Sequence, residues 1–165
     1  MPVIGRTLDL LRRFPADLRR HLEDAPGDAI DFRPPSWDGI PSEALTVRQQ
    51  ICHLRDIEID GYARRFERIL NEASPALEAI DTYALIGERA YDNTDIEHAF
   101  AAFEAARRDT VRLLDSVKSA ELDRPADFDG YGRVTLKGLI HFLASHDQQH
   151  LAGIQWLIGK FASRP

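Results

Sequence analysis

The stretch HDQQH, residues 146–150, sets two histidines four positions apart. On a helix that step puts His146 and His150 on one face, with both imidazoles able to approach a single ion. Two ligands make half a site, so a third is required. His53 is the candidate, because it falls in a different helical segment that antiparallel or adjacent packing brings beside the last helix. His21 and His98 sit near a predicted helix end and start, where solvent exposure is expected. His141 precedes His146 by five positions, about 140° around a helix. Three histidines on a divalent ion leave a position for water or a substrate atom, the open arrangement of a catalytic zinc rather than a closed structural one. A plainer reading of the same residues is a set of hydrogen-bonded core histidines.

The pattern is not HExxH: Asp147 follows His146 and Gln149 precedes His150, so the helix-borne base of a metalloprotease is missing. Asp147 projects about 100° from His146 and is expected on a solvated face, not as a ligand. Cys52 is turned about 100° from His53 and is expected to pack in the core. It is the only cysteine, which excludes an intramolecular disulfide framework and an all-cysteine metal site within one chain.

Four helical segments are expected to position these residues. The first runs roughly from Ile4 to Glu23, with Pro15 bending it or marking a second start, and Gly27 helping to stop it. The connection DFRPPSWDGIPSEAL follows, where paired prolines and a glycine argue against helix and Trp37 must cover the core or line a cleft. Thr46 is placed to cap the second helix, with Gln49 completing a capping box and the end near Asn71. Its apolar face reads Ile51, Leu54, Ile57 or Glu58, Tyr62, Phe66 and Ile69, with His53 and Glu58 near the margins. Ser74 to Asp92 holds a short helical piece at most. Thr94 or Asp95 then caps a third helix running through Lys118, with Phe100, Phe103, Val111 and Leu114 on its apolar face. ELDRPADFDGYG reads as a loop. Thr135 starts a last helix whose Leu136, Leu139, Ile140, Leu143, Leu151, Ile154, Leu157 and Ile158 face the core almost to Phe161, despite Gly138 and Gly153. The pattern implies an all-α chain with little room for β structure.

At 165 residues and 44% hydrophobic content, the chain is long enough to close one core, and a single domain over 1–165 is the expectation. Twenty-one lysines and arginines against 27 aspartates and glutamates leave a net charge of -6, which argues against a broad nucleic-acid surface. The stretch MPVIGRTLDLLRRF is interrupted by Arg6, Asp9, Arg12 and Arg13 and fits neither a secretory leader nor a membrane span. A cytoplasmic protein with no nucleic-acid or membrane partner is therefore expected.

His53 within ICHLRDIE, the stretch AFEAARRDTVRLLDSV, and the terminal GRVTLKGLIHFLASHDQQHLAGI together resemble the DinB/YfiT-like superfamily, and the likeness covers most of the chain. That resemblance implies a four-helix bundle of up-down-down-up topology, a central metal pocket on His53, His146 and His150, and a homodimer. It implies zinc or nickel as the divalent cofactor, and, as in some members, a low-molecular-weight thiol that makes the enzyme an S-transferase. Metal-dependent isomerisation or hydrolysis, and a noncatalytic metal-stabilised bundle, are the alternatives. For a small-molecule substrate, Arg107 or Arg108 is a candidate anion holder, and Trp37 and Tyr62 are candidates to shape the pocket. Solvated helix face is the alternative for the arginines, and core or interface packing for the two aromatics.

Overall fold

The computed structural model describes residues 4–23 and 25–164. Met1–Val3, Asp24 and Pro165, which belong to the amino-terminal stretch and the single-domain span considered above, lie outside the described residues. Four long helical runs form the bundle: α1 (Gly5–Glu23), the continuous run of α2 (Val47–Asp56), a π-helical segment (Ile57–Ala63) and α3 (Arg64–Asn71), then α5 (Ile96–Asp115) and α6 (Leu136–Ala162). A short α4 (Thr82–Glu88) lies in the connection between the second and third runs. Sequence-local chemistry fixes their starts. Thr46 and Gln49 form the expected capping box, while Asp95 and Thr135 accept from the backbone amides of His98 and Gly138.

Cross-helix pairs give the directions. Along α1 and α6, Thr7 meets His141 and His21 meets Gln155, so these two run parallel. Arg12 meets Asp115 and Arg19 meets Glu97, so α1 and α5 are antiparallel. Arg48 reaches the Thr94 carbonyl and Glu58 reaches Arg107, so the second run and α5 are parallel. Gln50 meets His150, and Tyr62 lies beside His146, so the second run opposes α6. The bundle is up-down-down-up, as the resemblance implied.

The apolar core divides into two clusters. One gathers Leu8, Leu11, Ile57, Phe66, Ile69, Leu114, Leu139 and Leu143; the other Phe14, Leu18, Ile51, Phe100, Phe103, Ile154 and Leu157. On each helix the two sets are adjacent in sequence, and between them falls a belt of buried polar side chains: His53, Asp56, Glu58, Arg107, Asp147 and His150. Of the functional candidates, His53, His150 and Arg107 sit in this belt, between the two apolar clusters.

Three local features depart from the sequence expectation. Pro15 does not restart α1, which is continuous around it. A proline removes the amide that would satisfy the carbonyl four residues earlier, and here the Arg107 guanidinium donates to that Leu11 carbonyl at 3.3 Å. The π segment explains the ambiguity between Ile57 and Glu58: its wider turn inserts an extra residue, so both face inward and are buried. The loop expected at ELDRPADFDGYG instead forms a hairpin, β2 (Pro125–Phe128) and β3 (Gly132–Thr135), with β1 (Ala76–Leu77) added parallel to β2. Gly130 and Gly132 take positive φ at its turn, the conformation glycine adopts without strain.

Among the described residues, no helix is long and apolar enough to cross a membrane.

Candidate metal centre

His53 comes from α2, and His146 and His150 from α6; one nitrogen of each lies within 4.8 Å of the others. His53 and His146 approach Nε2 to Nε2 at 3.0 Å, and the His53 and His150 ring centroids are 4.6 Å apart. His53 and His150 are buried, whereas His146 is half-buried and forms the outer edge. Burial pushes His53 down to about 4. Burial, then the neighbouring imidazoles, hold His146 and His150 well below the ordinary histidine value. All three rings are therefore neutral near pH 7, the form in which imidazole offers a lone pair.

The orientation of His150 is set by residues that sequence spacing did not single out. Gln50, one turn before His53, donates through Nε2 to the Leu45 carbonyl at 3.2 Å, which leaves its Oε1 facing His150 Nδ1 at 3.1 Å. Nδ1 must then carry the hydrogen, and Nε2 is the bare nitrogen turned into the cluster. Ser42 also approaches Gln50 Oε1, at 3.4 Å. Gly153 makes this fit possible: a Cβ there would overlap the Ser42 hydroxyl and come within 3.0 Å of Gln50 Oε1.

Glu43, from the proline-rich connection, closes the cluster. Its carboxylate oxygens stand 3.2 Å from His150 Nε2 and 4.0 Å from His53 Nε2, and its side chain is 34% exposed, so it joins the buried cluster to solvent. His150 Nε2 has no hydrogen-bond partner, and neither do the buried Nδ1 atoms of His53 and His146. A bare nitrogen facing a carboxylate oxygen is a contact between two acceptors.

Beside this cluster lies a second polar group. Arg107 donates to both oxygens of Asp147, at 2.6 and 2.9 Å, and to Glu58 Oε2 at 2.8 Å. Asp147 is thus not on a solvated face; it is buried three residues from His150, on the stripe of Leu143, His150 and Ile154. With the Leu11 carbonyl, Arg107 ties its own α5 to the other three bundle runs. Its terminal nitrogens are engaged by the protein's own carboxylates, while Arg108, the next residue of α5, is exposed. Burial pushes the Asp147 carboxyl up to about 6, against the pull of Arg107.

The remaining candidates separate. Tyr62 is buried with its ring 6.0 Å from that of His146, in the wall of the cluster. Trp37 is half-buried against the apolar cluster of Phe14, Ile51 and Leu157. Cys52 is buried, as expected, and burial raises its thiol.

A family model described as the DinB superfamily matches residues 10–154. Among solved structures, the fold is similar to that of YfiT from Bacillus subtilis, described as a probable metal-dependent hydrolase with an unusual four-helix bundle topology. The TM-score is 0.82 at 23% identity, over 95% of this chain and 86% of that one. Curated proteins yield no match.

Proposed function

The chain belongs to the DinB superfamily, and on that premise we propose that it is a divalent-metal-dependent enzyme whose ion is held by His53, His146 and His150. The observation that carries this reading is the contact of His150 Nε2 with Glu43 at 3.2 Å. With Nδ1 committed to Gln50, the nitrogen offers a lone pair to a carboxylate, and burial opposes the protonation that would turn the contact into an ion pair. A cation at the convergence of the rings removes the conflict. The donor set also fits: nitrogens about 2.1 Å from one ion at tetrahedral angles stand about 3.4 Å apart, and the 3.0 Å spacing of His53 and His146 is a small rotation from that. Imidazoles suit zinc and nickel alike.

When bound, the ion supplies a Lewis acid that makes a weak nucleophile reactive at neutral pH. The residues divide the remaining work. Gln50 keeps His150 in one tautomer, the apolar clusters above and below exclude bulk water, and half-buried His146 faces the side from which a small molecule enters. Glu43, charged and partly exposed, is placed to take the proton released by the nucleophile and pass it to solvent. With water as that nucleophile, the reaction class proposed is hydrolysis.

Transfer from a low-molecular-weight thiol is the second reading, favoured by the aromatic wall beside His146, which offers an organic cofactor more contact than water requires. A homodimer belongs to the same proposal and is read by sedimentation. The test is turnover by zinc- or nickel-loaded protein on small esters and amides, run in parallel with thiol-plus-electrophile pairs. Hydrolysis abolished in Glu43→Gln, with metal content unchanged, supports the proposal. Turnover only with thiol selects the second reading. A fully loaded protein inactive in both arms leaves a metal-stabilised bundle and overturns both.

A further inference from the structure

Arg65 is buried to 7% exposure, yet unlike Arg107 it has no carboxylate partner among the described residues. Its Nη2 donates to the Glu78 carbonyl at 2.7 Å, and its guanidinium lies between two aromatic rings, 4.5 Å from the Phe128 centroid and 5.4 Å from that of Tyr62. Gly61 leaves room for it, since a Cβ there would come within 3.0 Å of Nη1. A buried cation whose charge nothing balances is costly, and the ordinary solution is an anion beside it.

Its surroundings say which anion. Tyr62 connects Arg65 to His146. On the other side Phe128 stacks on Tyr131 at 4.7 Å, and Tyr131 meets Phe142 at 5.1 Å. Phe142 stands one helical turn before His146 on α6. The contacts therefore run from the half-exposed histidine through Tyr62 and Arg65 to Phe142, one helical turn away: one cation, three further aromatic rings beyond Tyr62, and an outer edge where Tyr131 is 61% and Phe142 36% exposed. Large aromatics left in water beside a buried cation form a surface suited to an organic molecule with an apolar body and an acidic end.

We infer that Arg65 is the anion-recognition residue of this site, and that the substrate class is a small organic acid whose carboxylate meets Arg65 while its apolar body lies on Tyr131 and Phe142. The inference rests on the proposed centre only for what happens at the ligand's other end; carboxylate capture itself requires no metal. Arg107 and Arg108 are not needed for it.

The experiment is a calorimetric titration of the protein, as purified and again after chelation, with three probes: 3-phenylpropionate, its neutral counterpart 3-phenylpropanol, and inorganic phosphate. The expected order is propionate about tenfold tighter than the alcohol, as a charge-assisted contact gives, with phosphate weakest. Arg65→Met removes that preference and Arg65→Lys keeps part of it. The exposed substitutions Tyr131→Ala and Phe142→Ala, which leave the buried core intact, weaken propionate and alcohol alike by severalfold. A merely structural Arg65 would leave the ratio of acid to alcohol unchanged. Equal affinity for acid and alcohol, a preference retained in Arg65→Met, or phosphate as the tightest probe overturns the inference. If Arg65→Met does not fold, the ratio in wild type and in Arg65→Lys decides. The preference surviving chelation separates this outcome from failure of the metal proposal, which would show instead as no metal uptake.

Discussion

The two polar clusters in the belt are neighbours in sequence, His146 beside Asp147, and opposites in physics. Around Arg107, opposite charges meet: its two terminal nitrogens engage two carboxylates and the carbonyl that Pro15 leaves free, although Arg107 Nε and Glu58 Oε1 have no partner. Around His150, acceptors meet acceptors, and buried ring nitrogens lack partners. Similar burial thus produces an ion-paired brace in one place and an unfinished site in the other. Unbalanced buried polarity, rather than buried polarity as such, is what points to a ligand.

The largest effect should come from breaking the brace. Arg107→Met leaves Asp147 and Glu58 buried without their cation and is expected to cost about 3–5 kcal/mol, measured by denaturant unfolding. Replacing all three partners with apolar residues should recover much of that loss, because no stranded charge remains. The second effect comes from completing the unfinished site. Zinc or nickel at a free concentration 100 times its Kd should raise the unfolding free energy by about 2.7 kcal/mol, and His150→Ala should remove that gain while leaving the metal-free bundle folded.

Smaller changes touch the support of His150. Gln50→Leu frees its tautomer, and Gly153→Ala pushes Ser42 and Gln50 aside; each is expected to weaken metal binding about 10–100-fold, read by competition with a chromophoric chelator. A further test is acid stability, on which the two regions pull in opposite directions. The histidines are depressed, so their contribution is complete above the ordinary value of 6.5 and is lost as pH falls toward 4, where His53 protonates in the fold. Asp147 is raised to about 6, so below that pH the folded state takes up its proton first and returns part of the loss. Thermal midpoints of the metal-free protein should therefore decline clearly between pH 6.5 and 4, because three depressed histidines outweigh one raised carboxyl, and a rise over that interval would contradict the assignment.

Much of this was legible in the sequence, and the misses share a cause. The four runs, the Thr46 cap and the His146, His150 pair follow from periodicity, capping chemistry and spacing, which are local, whereas His53 joins them through helix packing and the family resemblance. The brace was also written there. Arg107 fills the gap in the stripe Phe100, Phe103, Val111, Leu114; Glu58 lies on the line from Leu54 to Tyr62; and Asp147 lies between Leu143 and His150. Three charged residues on core stripes of three helices must pair inside the bundle. Measuring Asp147 only against His146, about 100° away, instead of His150, about 60° away, hid this. The hairpin was signalled too, by Asp129-Gly130 between alternating residues, but strands of four residues read easily as loop. Glu43 was beyond reach, because no periodicity places a side chain in a proline-rich connection; only the path of the loop over α2 does. Arg65 was equally hidden, since the absence of a partner is a property of three dimensions.

The central claim is that the three histidines form one unfinished site that a divalent ion completes. Calorimetric titration of chelated protein with nickel or zinc tests it most directly. The account predicts one ion per chain, with the stoichiometry abolished by His53→Ala and by His150→Ala and kept by His141→Ala, whose exposed ring is bonded to Thr7 outside the cluster. Absence of saturable binding, or binding unaffected by loss of His53 and His150, would contradict it.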